Sequence, residues 1–476
     1  MDLSRRRFLQ AVGTATAGGS IVGQMAAAEQ NSARMVQPRR KSEARVRVAF
    51  LYPPTAKLDR EGYYSWPGSS FDAEGRQRTY TRHLESIARE LGMRVDIDAT
   101  ALDEEAGVDA FITAVKQNPP DALLLIPFKK SHWTHVMRIV EETGLPSIAV
   151  ATLGVLLANH IRQLHRRPGA YLISALDDFE AIKDGMRMVR AARWMRDSLL
   201  IDIRGEDSNE TIEPHLKTRV RTIPHERFYA EYARTNATDE VKRLARDYRR
   251  HAKEIVEPNQ EDILNAARCY FALKRIIEAE GADAMMMDCL PGLRHPRKHV
   301  PPCMGFMTLR DEGIPAGCQS DIDATLSLML VQYLFGRPGF QQNAAMDTVR
   351  NLYFGAHCTC PSKLLGPEGP QRPYILRSHA EAGWGCVPRV LFEKGQKVTL
   401  MQYLTGEKPQ MLLYTGEVVE CPPMPPTGGC RTNIAMTIDE VSDVCDVKGM
   451  HQIIFCGDYG SSLRAFCQLY DLPLVT

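Results

Sequence analysis

The sequence predicts an α/β protein with two Rossmann-like parallel-sheet domains followed by a β-rich, barrel-like C-terminal domain. Two observations favour this fold. Apolar segments such as 122–126 and 199–203 alternate with helical segments, which is typical of a parallel sheet covered by helices on both faces. After about residue 349, short β-rich segments separated by Gly and Pro replace that alternation, and they favour a barrel or a sandwich.

Apolar runs and amphipathic periodicity place the elements of the two α/β domains. The first domain, 46–165, has predicted strands at 46–51, 94–97, 122–126 and 146–150 and predicted helices at 79–91, 105–116 and 132–143. The second domain, 166–348, has predicted strands at 199–203, 284–287 and 314–317 and predicted helices within 226–280, at 303–312 and at 321–335. The last of these helices is apolar on nearly all sides, which predicts that it is buried.

Short β-rich segments separated by turn residues predict the strands of the third domain, 349–476. Its predicted strands fall at 349–354, 374–377, 397–403, 411–415, 432–436, 452–455 and about 474, with one helix at 461–469. The stretch 421–427 is rich in Pro and is predicted to be a loop.

Composition excludes some classes of protein. Of the 476 residues, 44% are hydrophobic, which excludes disorder over most of the length. Lys and Arg number 59 against 58 Asp and Glu, so the chain lacks the basic excess with which a nucleic-acid-binding protein neutralises phosphates. We therefore expect no nucleic-acid partner.

Residues 1–28 are predicted to be a signal peptide. Arg5-Arg6-Arg7 precedes Phe8-Leu9, a mild apolar run follows, and Ala26-Ala27-Ala28 offers a small-residue cleavage site. Paired arginines followed by Phe-Leu resemble a twin-arginine (Tat) signal, which implies export of a folded protein to the periplasm. Residues 29–45 are predicted to be a flexible tether. No stretch reaches the roughly 20 apolar residues of a membrane span, so we expect none after signal removal.

The twelve cysteines all lie between Cys269 and Cys467. The closest spacing is Cys358-Thr359-Cys360, and no CxxC pair occurs, which argues against a zinc ribbon. We expect several of them to be buried thiols without bridges.

Three polar clusters follow predicted strands, where ligands of open α/β sheets bind. They are Asp288 with its loop, the stretch from Gly317 to Asp323, and the histidines of the β-rich part. Each has a structural alternative. Asp321 is well placed as a helix N-cap, and a histidine such as His357 is often a hydrogen-bonded core residue.

Several motifs resemble the L-fucose isomerase/L-arabinose isomerase superfamily. They are Asp311-Glu312-Gly313-Ile314-Pro315-Ala316-Gly317-Cys318-Gln319-Ser320-Asp321, Gly336-Arg337-Pro338-Gly339-Phe340, His357-Cys358-Thr359 with Leu376-Arg377-Ser378-His379-Ala380-Glu381, Gly429-Cys430-Arg431-Thr432, and Met450-His451 with Gly457-Asp458-Tyr459. This resemblance covers about residues 280–476 and extends to the N-terminal half only in architecture.

The resemblance implies a metal-dependent aldose–ketose isomerase that acts on a sugar through an ene-diol. In that family a divalent cation, typically Mn²⁺, is held by a Glu, an Asp and a His, while acidic side chains move protons. Carried over to this sequence, the metal ligands are Asp321 and His451, and the catalytic residues are Asp321 and Asp288. The substrate-binding candidates are Gln319, His357, Arg377, His379 and Glu381.

Two positions depart from the family pattern. Gly292 stands where the family's ligating Glu is expected, and Gln319 replaces an acidic residue. Hard cations require several anionic oxygens, so these changes leave a second interpretation open. It is an exported non-catalytic or repurposed sugar-binding relative that lacks the full set of metal ligands. Family enzymes are typically oligomers, so the resemblance also implies a homo-oligomer.

Overall fold

The protein is a mixed α/β chain with a parallel N-terminal sheet, a second largely parallel sheet and a β-rich C-terminal region. Its structure is a computed structural model that describes residues 42–61, 71–294, 296–422 and 429–476. The predicted Tat signal, and the tether up to residue 41, lie outside the described residues. The fold class predicted from the sequence is confirmed.

Five parallel strands form the first sheet in the order β2-β1-β3-β4-β5. They are β1 (Arg45–Leu51), β2 (Arg94–Ile97), β3 (Ala122–Pro127), β4 (Ser147–Thr152) and β5 (Ala170–Ala175). The predicted boundary after residue 165 falls before β5, which pairs with β4. The sheet therefore continues past that boundary.

Helices connect the strands of this sheet, continue through the second domain and occur again near the C-terminus. In the described residues they are α1 (Thr55–Glu61), α2 (Ala73–Leu91), α3 (Glu105–Gln117), α4 (Trp133–Thr143), α5 (Ala158–Leu164), α6 (Phe179–Asp197), α7 (His225–Arg234), α8 (Asp239–His251), α9 (Gln260–Glu280), α10 (Cys303–Asp311), α11 (Ile322–Phe335) and α12 (Gly460–Leu469). Among these described helices, none is both long enough and apolar enough to cross a membrane.

The second sheet has the order β11-β10-β6-β8-β7 and is parallel except for its edge strand β7. Its strands are β6 (Leu199–Ile203), β7 (Asn209–Ile212), β8 (Arg219–Ile223), β10 (Ala284–Met287) and β11 (Ala316–Cys318). The predicted helical region 226–280 contains α7, α8 and α9. It also contains a strand that the charged sequence conceals, β9 (Ala252–Ile255), which pairs with a C-terminal strand.

The β-rich region builds one larger sheet and one small one. The larger sheet runs β12-β20-β17-β18-β19-β14-β13, with β21 added to β18, and the small one runs β16-β15-β9. These strands are β12 (Phe340–Gln341), β13 (Asn343–Asp347), β14 (Leu352–His357), β15 (Tyr374–Arg377), β16 (Val387–Val390), β17 (Lys397–Leu404), β18 (Gln410–Glu420), β19 (Thr432–Met436), β20 (Ile453–Cys456) and β21 (Leu474–Val475).

The two ends of the larger sheet adjoin each other in the chain. Its two end strands, β12 and β13, are consecutive in the chain and are separated only by Gln342. Gln342 is fully buried, and its side-chain amide donates to Tyr353 and to Gln452 on neighbouring strands or their loops. One nearly continuous segment, 340–347, therefore pairs with β20 at its start and with β14 over the rest, which matches the predicted barrel-like arrangement.

Arg310, near the end of α10, joins the second sheet to this barrel. Its side chain is only 1% exposed. The guanidinium donates to the carbonyl oxygens of Ala316 on β11 at 2.9 Å, of Gly339 before β12 at 3.4 Å, and of Thr359 after β14. Burial lowers the pKa of Arg310 to about 10, so its charge is retained at neutral pH.

Replacing Arg310 with Met should lower the free energy of unfolding by about 3–5 kcal/mol, because several buried carbonyl groups lose a charged donor. Urea denaturation followed by circular dichroism measures this change. The matched control is Arg250→Met on α8, where the side chain is 70% exposed and a change within about 0.5 kcal/mol is expected. Equal losses in the two variants would contradict this account of Arg310.

Candidate active site

Three aspartates lie at the carboxyl ends of adjacent strands of the second sheet. Asp202 is near the end of β6, Asp288 directly follows β10, and Asp321 comes three residues after β11. Because β11, β10 and β6 are neighbours and parallel, their carboxyl ends meet at one edge. The sheet topology therefore gathers acidic groups where ligands of such sheets bind.

Asp321 has two roles in the structure. Its Oδ1 accepts the backbone N–H of Ala324 at 2.9 Å, which caps the buried helix α11. Its Oδ2 lies 2.7 Å from Nδ1 of His451, in the loop before β20. Asp321 therefore caps the helix, as the structural alternative predicts, and also contacts His451, the other predicted metal ligand. The two contacts involve different oxygens of one carboxylate.

The Asp321–His451 pair is accessible to a ligand. The two side chains are 23% and 14% exposed, respectively. When Nδ1–H of His451 donates to the carboxylate, Nε2 of the ring carries no proton and is an acceptor. In this tautomer a ligand hydroxyl can donate a hydrogen bond to the ring. The pair joins the second sheet to the barrel, because Asp321 follows β11 and His451 precedes β20.

The loop that carries Asp321 has an unusual backbone. Gln319 and Ser320 have φ values of 58° and 48°, in the left-handed region that non-glycine residues rarely adopt. The Ser320 hydroxyl donates to the carboxylate of Asp202, and this bond ties the loop to β6. His451 also has a left-handed φ, of 57°. Strained residues of this kind persist where the surrounding structure holds them, and they cluster at functional sites.

Asp202 is a functional candidate that sequence analysis missed. Its side chain is buried, and desolvation, with a smaller contribution from the nearby charge of Asp288, raises its pKa to about 6. The carboxyl group can therefore take up and release a proton near neutral pH. The signal was present in the sequence, since Asp202 interrupts the otherwise apolar strand Leu199–Ile203.

Two further histidines lie on the barrel side of the site. His357, at the end of β14, packs against His451 with ring centroids 5.6 Å apart. Its Nδ1 lies 3.2 Å from the hydroxyl of Thr359, and burial lowers its pKa to about 3. His379 is buried too, burial lowers its pKa, and its Nδ1 accepts the N–H of Ala382. Both rings are neutral at neutral pH.

The remaining predicted substrate-binding residues are placed differently. The Arg377 guanidinium forms a two-pronged ion pair with Glu257, with N–O distances of 2.7–3.0 Å, so its donors already have a partner. Glu381 is exposed, and its charge acts on the nearby ring of His379. Gln319 lies in the strained loop beside Asp321 and is partly exposed.

The residues present do not fit the three-ligand cation site that the resemblance implies. Gly292 lies in a buried 3₁₀ turn after β10, and a Cβ atom there would lie 2.3 Å from Nε2 of His299. The ring of His299, stacked on Tyr229, therefore fills the space where the family's Glu side chain would begin. Among the described residues, no three His, Cys, Asp or Glu side chains are grouped as metal ligands.

A scan against models of protein families and a search of curated protein sequences both found no match.

Replacing Gly292 with Ala should lower the free energy of unfolding by about 1–3 kcal/mol, because the new methyl group overlaps the His299 ring. Chemical denaturation measures the loss. Gly406→Ala is the control, since a Cβ atom there meets nothing within 4 Å. A Gly292→Ala variant as stable as the wild type would mean that a side chain is accommodated at this position after all.

His299 should make the protein less stable in acid. Its Nδ1 donates to the carbonyl of Val300, and burial lowers its folded-state pKa to about 4, against about 6.5 when unfolded. Below pH 6.5 the unfolded chain thus binds more protons, and stability falls as the pH drops from about 6.5 towards 4. Between pH 7 and pH 5 this one ring accounts for a loss of about 2 kcal/mol.

Urea titrations at the two pH values measure this effect. In His299→Gln the difference between pH 7 and pH 5 should shrink by about that amount. His251→Gln, at an exposed position on α8, serves as the control and should leave the difference unchanged. An unaltered pH dependence in His299→Gln would show that the ring is not held neutral.

Proposed function

We propose that the protein binds a sugar at the Asp321–His451 site and is a repurposed relative of the sugar isomerases it resembles. The observation that carries this proposal is the ring of His299, which lies where a Glu at position 292 would begin. Without that carboxylate the cation site is incomplete, whereas the Asp–His pair remains assembled at 2.7 Å.

The chemistry of the site suits a neutral polyhydroxy ligand. A carboxylate oxygen and the free imidazole nitrogen of His451 can accept hydrogen bonds from adjacent hydroxyl groups. Burial keeps His357 and His379 neutral beside the pair, so these two rings contribute no positive charge that would attract an anion. Hydrogen bonds to charged acceptors such as Asp321 contribute about 1.5–3 kcal/mol each.

A second candidate is the metal-dependent aldose–ketose isomerase with an ene-diol mechanism. It is favoured by the contact between Asp321 and His451, which stand at two of the three metal-ligand positions of the family that the sequence resembles. Asp202 and Asp288 at the neighbouring strand ends add acidic groups, and the pKa of Asp202, raised to about 6, suits proton transfer. This candidate requires a third ligand from a residue other than Gly292.

Two further parts of the proposal concern where the protein acts and how many copies assemble. On the strength of the Tat-like sequence around Arg5-Arg6-Arg7, we propose that the protein is exported folded and acts in the periplasm. The resemblance to oligomeric enzymes leads us to propose a homo-oligomer, which light scattering of the purified protein tests.

One set of measurements separates the two candidates. The metal content of the purified protein is measured, and a panel of pentoses and 6-deoxyhexoses is titrated by calorimetry and assayed for ketose formation, with and without Mn²⁺. The sugar-binding proposal expects binding without metal and no turnover. A stoichiometric metal together with ketose formation would establish the second candidate instead, and neither binding nor turnover with any sugar of the panel would contradict both.

Replacing Asp321 with Asn should weaken sugar binding about tenfold or more, because the charged acceptor is lost. The fold should survive, since Asn caps helices as well as Asp does. His451→Gln should weaken binding similarly. Asp323→Asn, on the same helix turn but bonded to Thr405, is the matched control and should bind normally. Equal affinity of Asp321→Asn and the wild type would place the ligand elsewhere.

A further inference from the structure

Cys358 and Cys430 lie together just beyond the end of two paired strands. The strands β14 and β19 are antiparallel, and His357 with Thr432 is the last pair of their register. Cys358 is the residue after this pair on one strand, and Cys430 lies two residues before it on the other. The two cysteines therefore sit where the strands begin to separate, beyond the last ladder pair.

The packing brings these two thiols into one cluster with Cys303. Cys303, Cys358 and Val387 form a small buried core, and Cys430 packs against it. Cys358 is only 3% exposed, whereas Cys430 is partly exposed and gives solvent access to the group. The cluster is separate from the Asp321–His451 pair, although His357 precedes Cys358 directly.

The surroundings favour a thiolate at Cys358. A hydrogen bond from the Cys430 thiol lowers the pKa of Cys358, and the backbone N–H groups of Arg431 and Ala380 and the charge of Arg431 lower it further. The pKa of Cys430 is raised in the same pair. The donors that surround Cys358 therefore make its sulfur the nucleophile of the pair.

We propose that Cys358 and Cys430 are a peroxide-sensitive pair that forms a reversible disulfide. Cys358 is the residue that is oxidised first, and Cys430 is the partner that completes the bond. The proposal rests on the position and contacts of the two cysteines and does not depend on the proposed sugar-binding function.

The chemistry is balanced with hydrogen peroxide as the oxidant. The Cys358 thiolate attacks one peroxide oxygen, an S–O bond forms, the O–O bond breaks, and the leaving hydroxide takes up a proton to become water. The Cys430 sulfur then attacks the sulfenic acid, an S–S bond forms, and the second hydroxide leaves with the Cys430 proton as water. Two thiols lose two electrons, and one peroxide becomes two waters.

The chain provides two internal controls. The sulfur atoms of Cys289 and Cys318 are 3.7 Å apart, and both side chains are at most 4% exposed. If proximity alone decided reactivity, the disulfide would form between these two cysteines. Cys445 is exposed, and its pKa is raised by desolvation and by the hydrogen-bonded carboxylate of Asp443. If exposure alone decided reactivity, Cys445 would be oxidised first. The proposal predicts neither the Cys289–Cys318 disulfide nor early oxidation of Cys445.

The test uses the reduced, purified full-length protein and a small excess of hydrogen peroxide. Samples taken over time are denatured, alkylated and mapped by mass spectrometry. A Cys358–Cys430 linked peptide should appear at least about tenfold faster than oxidation of Cys445, with the loss of two thiols per chain and recovery in dithiothreitol. Earlier oxidation of Cys445, or a Cys289–Cys318 link at an equal or higher rate, would overturn the proposal.

Two variants test the order of events. In Cys430→Ser the sulfenic acid at Cys358 has no partner and should be captured by dimedone, whereas in Cys358→Ser Cys430 should stay reduced over the same time. Dimedone adduct at Cys430 in Cys358→Ser, at the rate seen for Cys358, would contradict the assigned roles. Should a variant fail to fold, the wild-type peptide map decides the matter, since it needs no substitution.

Discussion

The buried guanidinium of Arg310 is the interaction on which the arrangement of the C-terminal half depends. It binds carbonyl oxygens that belong to three separate segments, after α10, before β12 and after β14. A guanidinium has five donors in a rigid plane, so a single side chain can fix several backbone segments relative to one another. Here it fixes β11, which leads to Asp321, against β14, which ends at His357.

The neighbouring Asp311 completes this junction from the other side. Its carboxylate accepts the N–H groups of Ser362 and Lys363 and the hydroxyl of Ser362. Burial raises the pKa of Asp311 to about 6 in spite of these bonds. Two consecutive charged residues, each satisfied by a different part of the loop after β14, thus anchor the barrel to the last helix before β11. The Asp321–His451 pair bridges the same two bodies at the surface.

Much of this fold could be predicted from local pattern. The apolar runs of β3 and β6, the helix that ends at Gly92 and the all-apolar α11 follow from hydrophobic period and from a glycine with φ of 63° that ends a helix. β9 could not be predicted, because it is a short charged segment that becomes a strand only by pairing with distant β15. Its conformation is a tertiary effect, and local propensity carries no signal for it.

The candidate site was only partly predictable for the same reason. Asp321 and His451 are 130 residues apart, and only the resemblance to known motifs linked them; the structure brings them together. The exclusion of a side chain at position 292 depends on how the ring of His299 packs against the turn that contains Gly292. The hydrophobic period of the sequence carries no information about such a contact. Arg377 was predicted to bind substrate, yet the structure pairs it with Glu257, a partner 120 residues away that spacing does not reveal.

The single residue between β12 and β13 has a consequence for how this chain can change. Side chains alternate between the two faces of a strand, so inserting or deleting one residue at Gln342 would turn the lining of one barrel wall outward. Surface loops elsewhere accept length variation at little cost. This junction has no such freedom, because the strand before it pairs with β20 and the strand after it pairs with β14.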